Sequence, residues 1–437
     1  MFAARKTQGM ISRMSYMTQS PEGAELNRTY QGDLAFHDWY RFVLSYPPHL
    51  VRNYVASFRL NRGSVVLDPF CGTGTTLVES RKLGVASVGI EANPVVQFAA
   101  STKLAWDVGP DELLCHARQT LERAREIMLF TAETETLYRF NELQSQIIIR
   151  DSISPLPLHR TLVLLEAIDS DRDSPFWKFE RLALMKHAVH SFSNLRFGPE
   201  VGVRRQKKLD VEVNDVWFAA VESMCDDLRN RSRRAEVSAH VHLADSRNIG
   251  ELLLPGSIDA VVTSPPYPNE KDYSRTTRLE SVLLGYLSER KDLRKHKSAM
   301  LVSNTRNAYK GDEDAKYVEN NERVQSLAAA IERSRTELGK TSGFEKLYGT
   351  VVKLYFGGMA KHFRDLAPAL KSGARLAYVV GDQASFFRVH IRTGEILAEI
   401  AEMQGYTVER TDLFRTRFST VSQQYLREEA LILRWKH

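Results

Sequence analysis

Two short strings restrict this chain more than anything else in it: Asp68-Pro69-Phe70-Cys71-Gly72-Thr73-Gly74-Thr75-Thr76 and Thr263-Ser264-Pro265-Pro266-Tyr267. Each follows an apolar, β-branched run, Val65 to Leu67 and Ile258 to Val262. A strand, a glycine turn and a helix in succession present backbone N–H groups to a ligand at the edge of an open α/β sheet. A strand ending in Ser-Pro-Pro-Tyr is rarer. Consecutive prolines fix two φ angles, push the preceding residues out of helical space and carry no N–H of their own. The loop they stiffen offers carbonyl oxygens, the Ser264 hydroxyl and the Tyr267 ring, a set that suits a planar base with an exocyclic amine.

The chain has 437 residues, too many for one compact core, so a core domain with insertions is expected. A net charge of +6 fits a polyanionic partner, as it fits many others. Cys71, Cys115 and Cys225 are widely spaced, which reads as reduced thiols in a cytoplasmic protein with neither disulfide nor metal site. No apolar run reaches the roughly 18 residues that a membrane span needs. Residues 1–34, with Arg5, Lys6 and Arg13, read as an N-terminal extension and not a signal peptide.

The two strings together resemble the cofactor and catalytic motifs of S-adenosylmethionine-dependent DNA amino-methyltransferases, the enzymes that methylate cytosine N4 or adenine N6. The resemblance implies a Rossmann-like α/β methyltransferase sheet, mostly parallel, closed by an antiparallel C-terminal strand pair and carrying a mostly helical insertion. The core would comprise residues 35–110 and 239–437, with residues 111–238 inserted and a second, charged insertion near 275–349. Strands are expected at Ala86–Ile90, Ala239–Leu243 and Arg375–Val380, and in the runs Tyr406–Phe414 and Ala430–Trp435.

It also implies roles. Gly72 and Gly74 would let the backbone approach the methionine part of S-adenosylmethionine, with Phe70, Cys71 and Thr75 in the same loop and Asp68 holding the ammonium directly or through water. Glu91, at the end of the second strand and about 20 positions after the turn, stands where such folds bind ribose hydroxyls, with Asn93 beside it. Asp245, followed by Ser246, matches the acid that accepts from the cofactor's adenine amine. Within the aromatic-rich stretch Phe36–Phe58, Tyr46-Pro47-Pro48-His49-Leu50 resembles the segment that the family packs against the methionine end. Ser264 and the Pro265 carbonyl would grip the target amine, Pro266 would stiffen the loop, and Tyr267 would stack on a base flipped out of the duplex. No cysteine follows a proline, against carbon-5 methylation. Serine before Pro-Pro-Tyr inclines the target to cytosine N4.

Basic residues are the candidate phosphate contacts. Arg204, Arg205, Lys207 and Lys208 follow Arg196 in one cluster, and Arg229, Arg231, Arg233 and Arg234 form another. Arg275, Arg278 and Arg306 fall after the catalytic loop, in a second candidate region for target recognition or a lid. Double-stranded DNA is the expected partner and a cognate restriction endonuclease a candidate one. Three other readings stand beside this one: an adenine-N6 DNA enzyme, an RNA base amino-methyltransferase, and a silent cofactor or nucleic-acid binder. RNA enzymes of this core carry an added N-terminal module, for which residues 1–60 look too short. A silent binder would have lost the loop residues, which are all present.

Overall fold

A computed structural model describes residues 31–41, 45–198, 200–231, 236–269, 271–419 and 423–437. Most of the expected N-terminal extension, with Arg5, Lys6 and Arg13, lies outside the described residues, as do Arg233 and Arg234.

Seven strands make the main sheet: β1 (Val65–Asp68), β2 (Ala86–Glu91), β5 (Ala239–Leu243), β6 (Ile258–Thr263), β7 (Leu370–Gly381), β8 (Thr407–Ser419) and β9 (Gln424–Arg434). A separate hairpin holds β3 (Leu195–Phe197) and β4 (Val201–Val203). The sheet order is β5-β2-β1-β6-β7-β9-β8. The first five strands in that order are mutually parallel, and β9 and β8 close the edge antiparallel. This is the Rossmann-like α/β class with its antiparallel C-terminal pair.

Alternation along the strands divides the core into two layers. Val66, Ala260, Val262, Ala377, Val379 and Ile432 face the helix Pro48–Ser57 through Val51, Tyr54 and Val55. Their neighbours Leu67, Val261, Leu376, Tyr378, Leu431 and Leu433 face the other way, onto Tyr355, Met359 and Phe363 of the helix Tyr348–Leu366 and Ile396 and Leu397 of the helix Thr393–Met403. Central strands covered on both faces read as continuous apolar runs, which is why β1 and β6 are legible without alternation.

Between β2 and β5 lie the helices Pro94–Lys103, Pro110–Glu133, Glu142–Ile147, Pro155–Asp169, Trp177–His187 and Val213–Arg229, together with the β3–β4 hairpin. All but Glu142–Ile147, whose Ile147 packs with Val282 and Leu287, share one apolar core around Phe179, Leu184 and the fully buried Trp217. Phe36 and Trp39 belong to that core. The Phe36 N–H and the Trp39 indole both donate to Asp227 Oδ2 at 2.8 Å, and Phe36 stacks on Trp106 at 4.1 Å. The start of the aromatic stretch before the glycine loop therefore anchors the helical insertion.

Candidate active site

β1 and β6 are neighbours, with Val66 opposite Ala260 and Leu67 opposite Val261. The chain runs from β1 to β2 on one side and reaches β6 on the other, so a crevice opens between the ends of β1 and β6, where open α/β sheets bind ligands. The glycine loop and the Ser-Pro-Pro-Tyr loop leave that edge side by side and line one cleft. The Thr263 hydroxyl donates to Asp68 Oδ1 at 2.6 Å and the Thr76 hydroxyl to the Val262 carbonyl at 3.0 Å. The two loops are bolted together at their roots.

On the first side of the cleft stand Tyr46, Phe70, Cys71, Gly72, Thr75, Glu91, Asn93 and Ser246. Gly72 has φ +51°, which favours glycine, and a Cβ there would meet no atom within 4 Å, so its bare Cα faces open space in the cleft. Gly74, at φ +83°, packs instead on Ala100, which a Cβ would meet at 3.3 Å. Glu91 accepts the Gly72 N–H at 3.0 Å and the Asn93 N–H at 2.7 Å, and burial pushes its carboxyl up to about 7. Asn93 caps the helix Pro94–Lys103 through Val95 and donates to Thr277 at 2.9 Å. Burial pushes the Cys71 thiol well up, so it is no nucleophile.

Four expected cofactor residues stand elsewhere. Pro48 is buried in the first turn of its helix, and Gly74 lies behind the loop, neither of them lining the cleft. Asp68 is fully buried, and burial pushes it up to about 6. It accepts from Thr263, from the Phe70 N–H at 3.1 Å and from the Tyr46 hydroxyl at 3.2 Å. With these acceptors engaged, its geometry is that of a brace between the loops and not of a partner for an ammonium. Asp245 is gripped by Arg247, whose Nε reaches both carboxylate oxygens at 3.0 Å and whose Nη2 reaches Oδ2 at 2.7 Å. Arg247 also binds Asp314 Oδ2 at 2.6 Å and the Ser298 carbonyl at 3.0 Å. The carboxylate expected to meet an adenine is thus spent inside the wall, while Ser246 next to it lines the cleft.

Ser264, Pro265, Pro266 and Tyr267 line the second side, with Ser264 Oγ 3.4 Å from the Tyr267 hydroxyl. Burial pushes Tyr267 up to about 12, which keeps it neutral. Gly381, at the end of β7, makes room for its ring: a Cβ there would stand 3.4 Å from Tyr267 Cε2. The far wall comes from residues that the motifs did not single out. Asp272, Lys297, Asn304 and Asn307 line it, and Lys297 Nζ donates to Asp272 Oδ2 at 2.8 Å. Their segment was legible as a candidate recognition region, but these side chains were not.

None of the expected phosphate contacts lines the cleft. Arg204 Nε donates to the Leu195 carbonyl at 3.3 Å, and Lys208 Nζ to that of Ser191. Arg205 is exposed and Lys207 half-buried. Arg275 reaches the Val201 carbonyl at 3.4 Å, which joins the stretch after the catalytic loop to the β3–β4 hairpin. Arg278 donates to the carbonyls of Ser274 and Ile147. Arg306 is half-buried, and its carbonyl accepts from Lys297 at 3.3 Å. Arg229 is spent on Asp111 and Asp226. Among the described residues, no cluster of His, Cys, Asp and Glu could hold a metal ion, and no helix is long and apolar enough to cross a membrane.

A family model described as DNA methylase matches residues 13–100, the stretch holding the glycine loop and Glu91. The chain is 24% identical over 438 residues to the Type II methyltransferase M.BsoBI of Geobacillus stearothermophilus, covering 89% of this chain and 82% of that one. It is 24% identical over 414 residues to the Type II methyltransferase M.AvaI of a Nostoc species, covering 88% and 82%. A stretch of 57 residues is 40% identical to the Type II methyltransferase M.MjaII of Methanocaldococcus jannaschii, covering 13% and 11%. With the fold, these similarities support a DNA amino-methyltransferase.

Proposed function

We propose that this chain moves a methyl group from S-adenosylmethionine to the exocyclic N4 amine of a cytosine swung out of double-stranded DNA, as the modifying half of a restriction pair. The observation that carries the reading is the single cleft shared by the glycine loop and the Ser-Pro-Pro-Tyr loop. The likeness to type II methyltransferases over most of the chain supports the restriction link, and Ser264 supports cytosine.

The residues of the first side suit the cofactor. The open Cα of Gly72 and the Phe70 ring would take the methionine part, and Glu91 supplies acceptor oxygens for ribose hydroxyls. When bound, the cofactor supplies a methyl group activated on a sulfonium. The chain itself has to improve a poor nucleophile, because the amine lone pair is delocalised into the base ring. Ser264 Oγ and the Pro265 carbonyl accept the two N–H bonds, localise that pair and stabilise positive charge as it develops on nitrogen. Tyr267 stacks on the base, which repays part of the roughly few kcal/mol that flipping costs. Pro265 and Pro266 hold the acceptors in place without rearrangement.

The reaction is tested by incubating the protein with labelled S-adenosylmethionine and duplex DNA and then separating the nucleosides. Label is expected in N4-methylcytosine. Label in N6-methyladenine moves the target, and label confined to RNA removes DNA from the reading.

Glu91 gives a second test. Its carboxyl is neutral below about 7 and charged above. A carboxylate accepts hydroxyls better than its acid does, so cofactor affinity is expected to rise with pH through 7, by at most about tenfold per unit below that value. Glu91→Gln should bind more weakly and lose the pH dependence, measured by calorimetry. A wild-type affinity that does not change with pH removes Glu91 from the ribose role.

A further inference from the structure

The β8–β9 hairpin outruns the sheet that it closes. β9 pairs with β7 only from Arg434 back to Glu428, which stands opposite Gly381 at the end of β7. The β8–β9 ladder continues past that point through Thr416↔Arg427, Arg417↔Leu426, Phe418↔Tyr425 and Ser419↔Gln424. Because β7 is parallel to β6 and β9 antiparallel to β7, the overhang leaves the sheet at the edge where β6 delivers Ser264 and Tyr267. Four residues of strand project about 13 Å, and β9 lies two strand spacings, about 10 Å, from β6.

What the overhang displays is unusual for a free ribbon. Phe418 and Tyr425 stand directly opposite each other, rings 5.2 Å apart, and are 48% and 65% exposed. Ribbons left unpaired are ordinarily blunted with charge, not tipped with paired aromatics. Over residues 411–429 the sequence carries Arg415, Arg417 and Arg427 against Asp412, Glu428 and Glu429. Arg415 and Arg427 are anchored at the base of the overhang by Glu428 at 3.6 Å and Asp382 at 3.0 Å. Arg388 is exposed on the loop after β7, which begins with a hydrogen bond from the Asp382 N–H to the Arg427 carbonyl.

We propose that this ribbon is a docking surface for duplex DNA beside the target base, with Phe418 and Tyr425 entering the groove as an aromatic wedge and the exposed Arg388 beside the ribbon meeting the phosphates. The inference rests on the reading that the cleft receives a base from a duplex. A two-stranded ribbon fits a DNA groove, and apolar wedges that part base steps are a known way of making an unstacked conformation accessible. Arg388 offers an exposed cation to the polyanion, and the surface continues the edge on which the cleft opens.

The test uses the full chain carrying Phe418→Ser and Tyr425→Ser together, two exposed positions whose loss leaves the core untouched. Affinity for a fluorescein-labelled, mixed-sequence duplex is read by anisotropy, cofactor affinity by calorimetry and self-association by light scattering. Losing two aromatic contacts to bases should weaken duplex binding by about tenfold or more. Cofactor affinity and oligomeric state should not move. If wild type methylates the duplex and the variant binds that duplex equally well, the ribbon inference falls and the catalytic reading stands. A variant that instead loses self-association gives the surface to a second copy of the chain and overturns the inference. If wild type neither binds nor methylates any DNA, both fall.

Discussion

Replacing Ser264 by alanine is expected to slow methyl transfer by about 100- to 1000-fold, the scale seen when one pre-placed hydrogen-bonding group is removed from a transition state. Cofactor affinity should stay as it was, because Ser264 belongs to the other side of the cleft. The substitution is a clean one structurally. The Ser264 hydroxyl sits 3.4 Å from the Tyr267 hydroxyl at the cleft wall, so its removal strands no buried partner deep in the core. Single-turnover kinetics with saturating DNA and cofactor give the chemical rate directly. Tyr267 separates stacking from hydrogen bonding: Tyr267→Phe keeps the ring and should retain most activity, whereas Tyr267→Ala removes a surface worth about 1–3 kcal/mol per stacked base. A Ser264→Ala protein with the wild-type rate would take the acceptor role away from this hydroxyl, and with it the account of how the amine is activated.

These loops could be read from the sequence because the constraint on them is local. Gly72 at φ +51° and the two prolines after Ser264 dictate their own backbone, whatever surrounds them. The strands that feed them, Val65–Asp68 and Ile258–Thr263, are buried on both faces and begin where the apolar runs begin. Side-chain partners set by tertiary packing were not legible. Phe36 and Trp39 precede the cofactor loop in sequence, yet both are claimed by Asp227, about 190 residues away. Lys297 falls in the charged stretch after the catalytic loop, yet it is buried and turned onto Asp272 in the cleft wall. Nor does anything in the residues 411–427 announce that β8 and β9 will continue beyond the end of β7, since that depends on where a third strand stops.

Asp245 is the sharpest case, and it yields the second large effect. Arg247→Ala is expected to cost about 3–5 kcal/mol of stability, the range for breaking a buried ion pair by deleting one partner. Arg247 is 8% exposed and holds Asp245, Asp314 and the Ser298 carbonyl at once. Its loss leaves Asp245 and Asp314 without the guanidinium that both of them bind. Urea unfolding at neutral pH measures the cost. Asp245→Asn with Arg247→Ala should cost less than the sum of the single changes, because the two share one interaction. The same variants decide what Asp245 is for. If it braces the wall, Asp245→Asn lowers stability and disturbs the cofactor only indirectly, since Ser298 leads into the Ala299–Leu301 stretch that lines the cleft. Should Asp245→Asn weaken cofactor binding severely at unchanged stability, the carboxylate is an adenine acceptor after all and must leave Arg247 when the cofactor arrives.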